Sequence, residues 1–192
     1  MQIVIMTDIF GLCHATDKLK AQLIQSGAKV TTLDPYAGVY RDFKDEQHAY
    51  QTFSQEMGHD DYYQAGVALI EALKPNVIIG FSAGANVAWR LAAAQTVNIN
   101  QIMCFYPSQI RHYSELVPHS TCHLILPNYE ASFDVMKMAA KLDNRENLTV
   151  RLAPFGHGFM NPKSTQYQIQ GEAFGLHYIE ALIESKGWVV KA

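Results

Sequence analysis

Apolar residues come in short runs separated by longer amphipathic stretches. Ile3–Met6, Lys29–Leu33, Val77–Ile79, Gln101–Tyr106, Cys122–Leu126 and Leu148–Leu152 read as strands. Between them lie segments with apolar positions at helical spacing. Thr16–Ser26 carries Leu19, Leu23 and Ile24 on one face and is stopped by Gly27. Asp61–Leu73 ends before Pro75, and the Ala-rich stretch Ala83–Ala94 suits close packing on a sheet. Ser132–Leu142 and Thr165–Ser185 complete the series, and a further helix falls near Lys44–Glu56 within the polar and aromatic stretch 36–60.

Alternating strands and helices of this kind predict an α/β fold: a doubly wound, mostly parallel six-stranded sheet flanked by helices on both faces. With 192 residues and no repeat or linker-like shift in composition, residues 1–192 are expected to form one domain. Ligands of such sheets bind beyond the carboxyl ends of the strands, so the segments that follow each strand are where chemistry belongs.

The segment after the third strand is Gly80-Phe81-Ser82-Ala83-Gly84, a Gly-x-Ser-x-Gly between a buried strand and a helix. A serine at the tip of so sharp a turn is crowded, and small residues two positions away on either side relieve the crowding. Ser82 is thereby a candidate nucleophile. The backbone N–H of Ala83, at the start of the helix, is a candidate oxyanion donor aided by the helix dipole. A competing reading makes the two glycines a phosphate-binding turn, but the Gly-x-Gly-x-x-Gly and Lys-Ser/Thr patterns of nucleotide sites are missing.

The segment after the last strand is Phe155-Gly156-His157-Gly158-Phe159. Two flanking glycines offer no packing, which argues against a core histidine. Its place downstream of the serine fits the order Ser…acid…His, so His157 is the candidate general base. The acid has two candidates beyond strand Cys122–Leu126. Glu130 sits just past the strand end, and Asp134 falls where the first turn of the next helix would begin. Position favours Glu130.

Together with Asp8-Ile9-Phe10-Gly11 after the first strand and Leu33-Asp34-Pro35-Tyr36 after the second, these segments resemble the dienelactone hydrolase family of α/β-hydrolases, in the family's order along nearly the whole chain. The resemblance implies that the Ile9 N–H is a second oxyanion donor beside Ala83. It sets Asp8 where the family often carries Glu, and Glu130 where it usually carries Asp. Ser82 replaces the Cys of members that act on dienelactones, which turns the expectation toward a small ester, lactone or thioester. Asp8, Phe10, Phe81 and Arg41 are candidate substrate contacts, with Arg111 a further loop arginine near the strand ends. The chain opens on the strand before the oxyanion loop and has no insertion long enough for a lid domain, so a minimal version of the fold is expected.

Charge and composition exclude other classes. A net charge of −3 gives no basic excess for nucleic acid, and no apolar run approaches a membrane span. Cys13, Cys104 and Cys122 form no Cys-x-x-Cys pair and are odd in number, so a disulfide framework is not expected and the cytoplasm is the default compartment. His119, Cys122 and His123 cluster, but the last two fall in or beside a strand, and no metal or other cofactor is called for. The expected partner is a small acyl substrate, with the protein a monomer or homodimer. The rival class is a catalytically inactive small-molecule binding module on the same fold.

Overall fold

A computed structural model describes residues 1–94 and 99–184. The elements follow in the order β1 (Gln2–Met6), α1 (His14–Gln25), β2 (Lys29–Leu33), α2 (Glu46–Glu56), α3 (Gly58–Leu73), β3 (Val77–Phe81), α4 (Ala83–Ala92), β4 (Gln101–Phe105), β5 (Cys122–Leu126), α5 (Val135–Leu142), β6 (Leu148–Leu152) and α6 (Ile169–Glu184). A 3-10 turn covers Ser108–His112 between β4 and β5. The six strands form one parallel sheet in the order β2-β1-β3-β4-β5-β6. This is the expected α/β architecture.

The sheet is covered on both faces, which is why its central strands read as unbroken apolar runs. Successive side chains of a strand point to opposite faces. Ile3, Ile5, Val77 and Ile79 therefore join a core with Leu19 and Leu23 of α1 and Ile179 and Ile183 of α6. Val4, Met6 and Ile78 join the opposite core with Phe53 of α2, Tyr62 and Ile70 of α3, Val87 and Leu91 of α4, and Leu142 of α5. The Ala-rich α4 is buried along almost its whole length. Gly66 of α3 sets the approach of these two helices, because a methyl there would lie 2.5 Å from Val87 Cγ1.

The element boundaries differ from the sequence reading at the helix ends. Asp45 and Asp134 are N-caps, each accepting a backbone N–H three residues on, so α2 and α5 begin later than Lys44 and Ser132. α3 starts at Gly58, earlier than Asp61, and ends on Lys74 in the left-handed conformation just before Pro75. Helix α4 stops at Ala92. Tyr106, with φ of 44°, cannot continue β4, while β3 runs on to Phe81. Residues 165–168 precede α6 outside the helix, and Ser185, the expected end of that helix, lies outside the described residues.

Candidate active site

Strand β2 lies outside β1, whereas every strand from β3 onward lies on the other side, so the winding reverses between β1 and β3. A crevice opens at such a switch point beyond the carboxyl ends of the strands. The Asp8–Phe10 loop leaves β1 on one side of it, and Ser82 follows β3 on the other.

Ser82 is held with φ 48° and ψ −107°, a strained conformation for a residue with a side chain. Its surroundings fix it there. Ser82 N donates to Phe105 O at 2.9 Å, and its own carbonyl accepts from Asn86 N at 3.0 Å. Gly84 N donates to Thr7 O at 3.0 Å, drawing α4 so close to the end of β1 that any Cβ at Gly84 would collide with the Met6 carbonyl. A Cβ at Gly80 would lie 2.6 Å from Gly84 O. Both glycines of the motif are required by backbone packing, and the result is a serine hydroxyl lifted above the start of α4.

The imidazole of His157 meets that hydroxyl: Nε2 lies 2.8 Å from Ser82 Oγ, and Nδ1 lies 2.5 Å from Glu130 Oε1. The Glu130 side chain is only 7% exposed. Asn128 ties the loop after β5 to the histidine loop through its N–H to Phe155 O (2.8 Å) and its Nδ2 to Pro154 O (3.3 Å), which carries Glu130 to the ring. Gly158, at φ 80°, turns the chain against Ser164, whose hydroxyl donates to Glu46 Oε1 at 2.9 Å and also lies 3.3 Å from His157 O. The edge of the Tyr106 ring packs against the imidazole, with centroids 5.2 Å apart.

The first-strand loop is braced separately. Tyr36 donates from its hydroxyl to Ile9 O at 2.6 Å, and Gly11, at φ 68°, leaves room for the Tyr36 ring. Asp8 is buried. Its Oδ1 accepts from Phe10 N at 3.0 Å and its Oδ2 from Asn161 Nδ2 at 2.7 Å. Burial raises its pKa to about 6, against the pull of those hydrogen bonds.

A cavity of about 340 Å³ holds Ser82, Ala83, Ile9, Asp8, Phe10, Glu130 and His157 in its wall. Glu46, Gln47 and Tyr50 of α2, His59 of α3 and Ser108 of the 3-10 turn close the other side. Burial, then the positive charge of Arg111, lowers the pKa of His59, and its Nε2 is buried without a hydrogen-bond partner.

Four sequence candidates lie elsewhere. Phe81 stacks on Phe105 with centroids 5.3 Å apart and lines a smaller cavity toward α1 and α6, because its side chain leaves the strand end on the face away from Ser82. Arg41 is drawn off by Glu56 (2.6 Å) and lies over the Tyr36 ring, outside the cavity wall. Asp134 caps α5. Arg111 is turned to Ser108 O and Ser132 Oγ. Conversely, sequence reasoning gave no site role to Glu46, His59, Asn161 or Ser164. Tyr36 entered the sequence reading through the Leu33-Asp34-Pro35-Tyr36 segment, without the role that its bond to Ile9 O gives it.

Cys104 and Cys122 face each other across β4 and β5 with sulfurs 4.0 Å apart, and all three cysteines are unbridged. His123 Nδ1 lies 3.2 Å from the Tyr178 hydroxyl. Among the described residues no cluster of His, Cys, Asp or Glu is placed to hold a metal ion, and no helix is long and apolar enough to cross a membrane.

The fold, with the family match that follows, makes this chain a carboxylic ester hydrolase-type α/β-hydrolase. The sequence matches the model of the dienelactone hydrolase family over residues 1–179, and the chain belongs to that family. It is 28% identical over 174 residues to an uncharacterized Bacillus subtilis (strain 168) protein, YczH, covering 86% of this chain and 83% of the other. Among solved structures it resembles a dienelactone hydrolase-like promiscuous phosphotriesterase, P91, from metagenomic libraries, with a TM-score of 0.73 at 16% identity over 96% of this chain and 85% of that one. Est1E from Butyrivibrio proteoclasticus, solved with ferulic acid bound, superposes with a TM-score of 0.64 at 12% identity, covering 95% of this chain and 88% of its own. The Pyrococcus furiosus esterase Pf2001 gives a TM-score of 0.62 at 13% identity, over 96% and 82% of the two chains.

Proposed function

We propose that this hydrolase cleaves a small ester, lactone or thioester through an acyl-enzyme on Ser82. The observation that carries the reading is the unbroken line from Ser82 Oγ through the His157 ring to Glu130, at 2.8 and 2.5 Å. In that line His157 Nε2 accepts the serine proton as Oγ attacks the acyl carbon. Glu130 accepts from Nδ1–H, which fixes the tautomer and stabilises the imidazolium that forms. The N–H groups of Ala83 and Ile9 receive the negative charge developing on the acyl oxygen. Collapse of the tetrahedral adduct expels the alcohol or thiol, which takes the proton from His157. Water then attacks the acyl-enzyme with His157 again as base, releasing the acid and the free serine.

A cavity of about 340 Å³ fits a compact acyl group better than a long lipid chain. Ile9, Phe10 and Ala83 are apolar residues of its wall. The test is a screen of short esters, lactones and thioesters, together with a fluorophosphonate probe, against wild type and Ser82→Ala. Covalent mass gain on Ser82 and turnover that falls by about 10³-fold or more in the variant are expected. Turnover that survives unchanged in Ser82→Ala would end the acyl-enzyme reading. A wild-type chain that binds esters but is never labelled would be the binding module instead.

A further inference from the structure

The wall of the cavity holds three carboxylates, Asp8, Glu46 and Glu130, and no Lys or Arg among the described residues. Glu130 faces His157. The other two have neutral partners. Asp8 accepts from the Phe10 N–H and the Asn161 amide, and Glu46 accepts from the hydroxyls of Ser164 and Thr165. Hydrogen bonds from neutral groups hold a carboxylate in place without cancelling its charge. The two act on each other as well, since the charge of Glu46 helps to raise the Asp8 pKa.

The nearby cations are engaged outside the wall. Arg41 pairs with Glu56, Arg111 donates to Ser108 O, and Lys163 Nζ donates to Arg41 O at 2.9 Å. His59 could have supplied a positive charge, but burial and the charge of Arg111 disfavour its protonation.

We infer that the site discriminates by charge, accepting esters whose acyl and alcohol parts are uncharged or cationic and rejecting those that bear a carboxylate. This inference rests on Ser82 being the nucleophile. A substrate anion entering the cavity meets the Asp8 and Glu46 carboxylates with no Lys or Arg beside them in the wall, in a space partly shielded from water, where like charges cost far more than in bulk solvent. A neutral substituent of the same size meets no such opposition.

The test compares 4-acetoxybenzoate with 4-acetoxybenzamide, which differ in charge but hardly in shape. For the wild-type chain at low salt, kcat/KM for the carboxylate is expected to be about tenfold or more below that for the amide. The gap should shrink at about 0.5 M salt, as screening weakens the repulsion. Gln47→Lys, an exposed change on α2 that adds a cation to the wall, should raise the carboxylate-to-amide ratio by about fivefold. Equal or faster cleavage of the carboxylate, abolished by Ser82→Ala, would overturn the charge inference alone and assign the field of the site to Arg111. Cleavage of both esters that persists in Ser82→Ala would instead overturn the reading on which it rests.

Discussion

Asn161 donates from Nδ2 to Oδ2 of Asp8 at 2.7 Å, joining the loop that follows β1 to the loop that carries His157 across 153 residues of chain. The bond is buried, and it ties the proposed oxyanion side of the crevice to the side of the proposed base.

The burial of Asp8 beside that bond makes stability depend on pH in a definite direction. Burial raises the Asp8 carboxyl from 3.8 to about 6. Between those values the folded protein holds a proton that the unfolded chain releases. The contribution is therefore fully present below about pH 4 and is lost as the pH rises through 6, by about 3 kcal/mol in all. Asp8→Asn removes this dependence. The stability of the variant minus that of wild type, from urea titrations, should grow between pH 4 and 7. A difference that stays flat across that range would refute the assignment.

The two acid candidates separate cleanly. Glu130→Gln leaves the His157 ring without its carboxylate and should lower kcat by about 10³- to 10⁴-fold with little change in KM. Asp134→Ala removes the cap of α5 and should lower Tm while leaving kcat unchanged. Steady-state kinetics and thermal melts on the pair check both statements, and an activity loss confined to the Asp134 variant would reverse them.

Gly84→Ala tests the backbone packing beneath the serine. The added methyl meets the Met6 carbonyl, which belongs to the sheet and cannot swing away. A loss of about 3 kcal/mol is expected, together with loss of turnover as α4 is pushed off β1. Wild-type denaturation midpoints in this variant would contradict the close approach.

Tyr36→Phe deletes the 2.6 Å bond to Ile9 O. The ring packing against Gly11 remains, so stability should fall by only about 1 kcal/mol. Tyr36 acts as a positioning residue for the Ile9 peptide, so kcat should fall by about tenfold while KM stays near wild type. A change in KM alone would point instead to substrate contact.

The strands were the most legible part of the chain. β1 and β3 to β5 are buried on both faces, so their sequences are largely apolar runs, broken within β5 only by the buried His123. Helix starts were less so, because Asp45 and Asp134 look the same before a helix as inside its first turn, and only the cap geometry decides. The 3-10 turn at Ser108–His112 is too short for any periodicity. In the site, glycines bracket Ser82 and His157 because backbone crowding demands them, and crowding writes itself into the sequence. Side-chain direction does not. Phe81 neighbours Ser82 in sequence yet points to the other side of the sheet, and Arg41 is captured by Glu56. Glu46 and Ser164 meet across 118 residues, a pairing that leaves no local trace.

Glu46 begins α2, and its carboxylate braces the turn beside Gly158, while Gln47 and Tyr50, in the next positions along the same helix, only line the cavity. One helix thus carries two kinds of position: a hinge pin that the histidine loop leans on, and tunable wall that nothing leans on. Substitutions at 47 and 50 reshape the wall alone, whereas a change at 46 also disturbs the turn that holds the His157 loop.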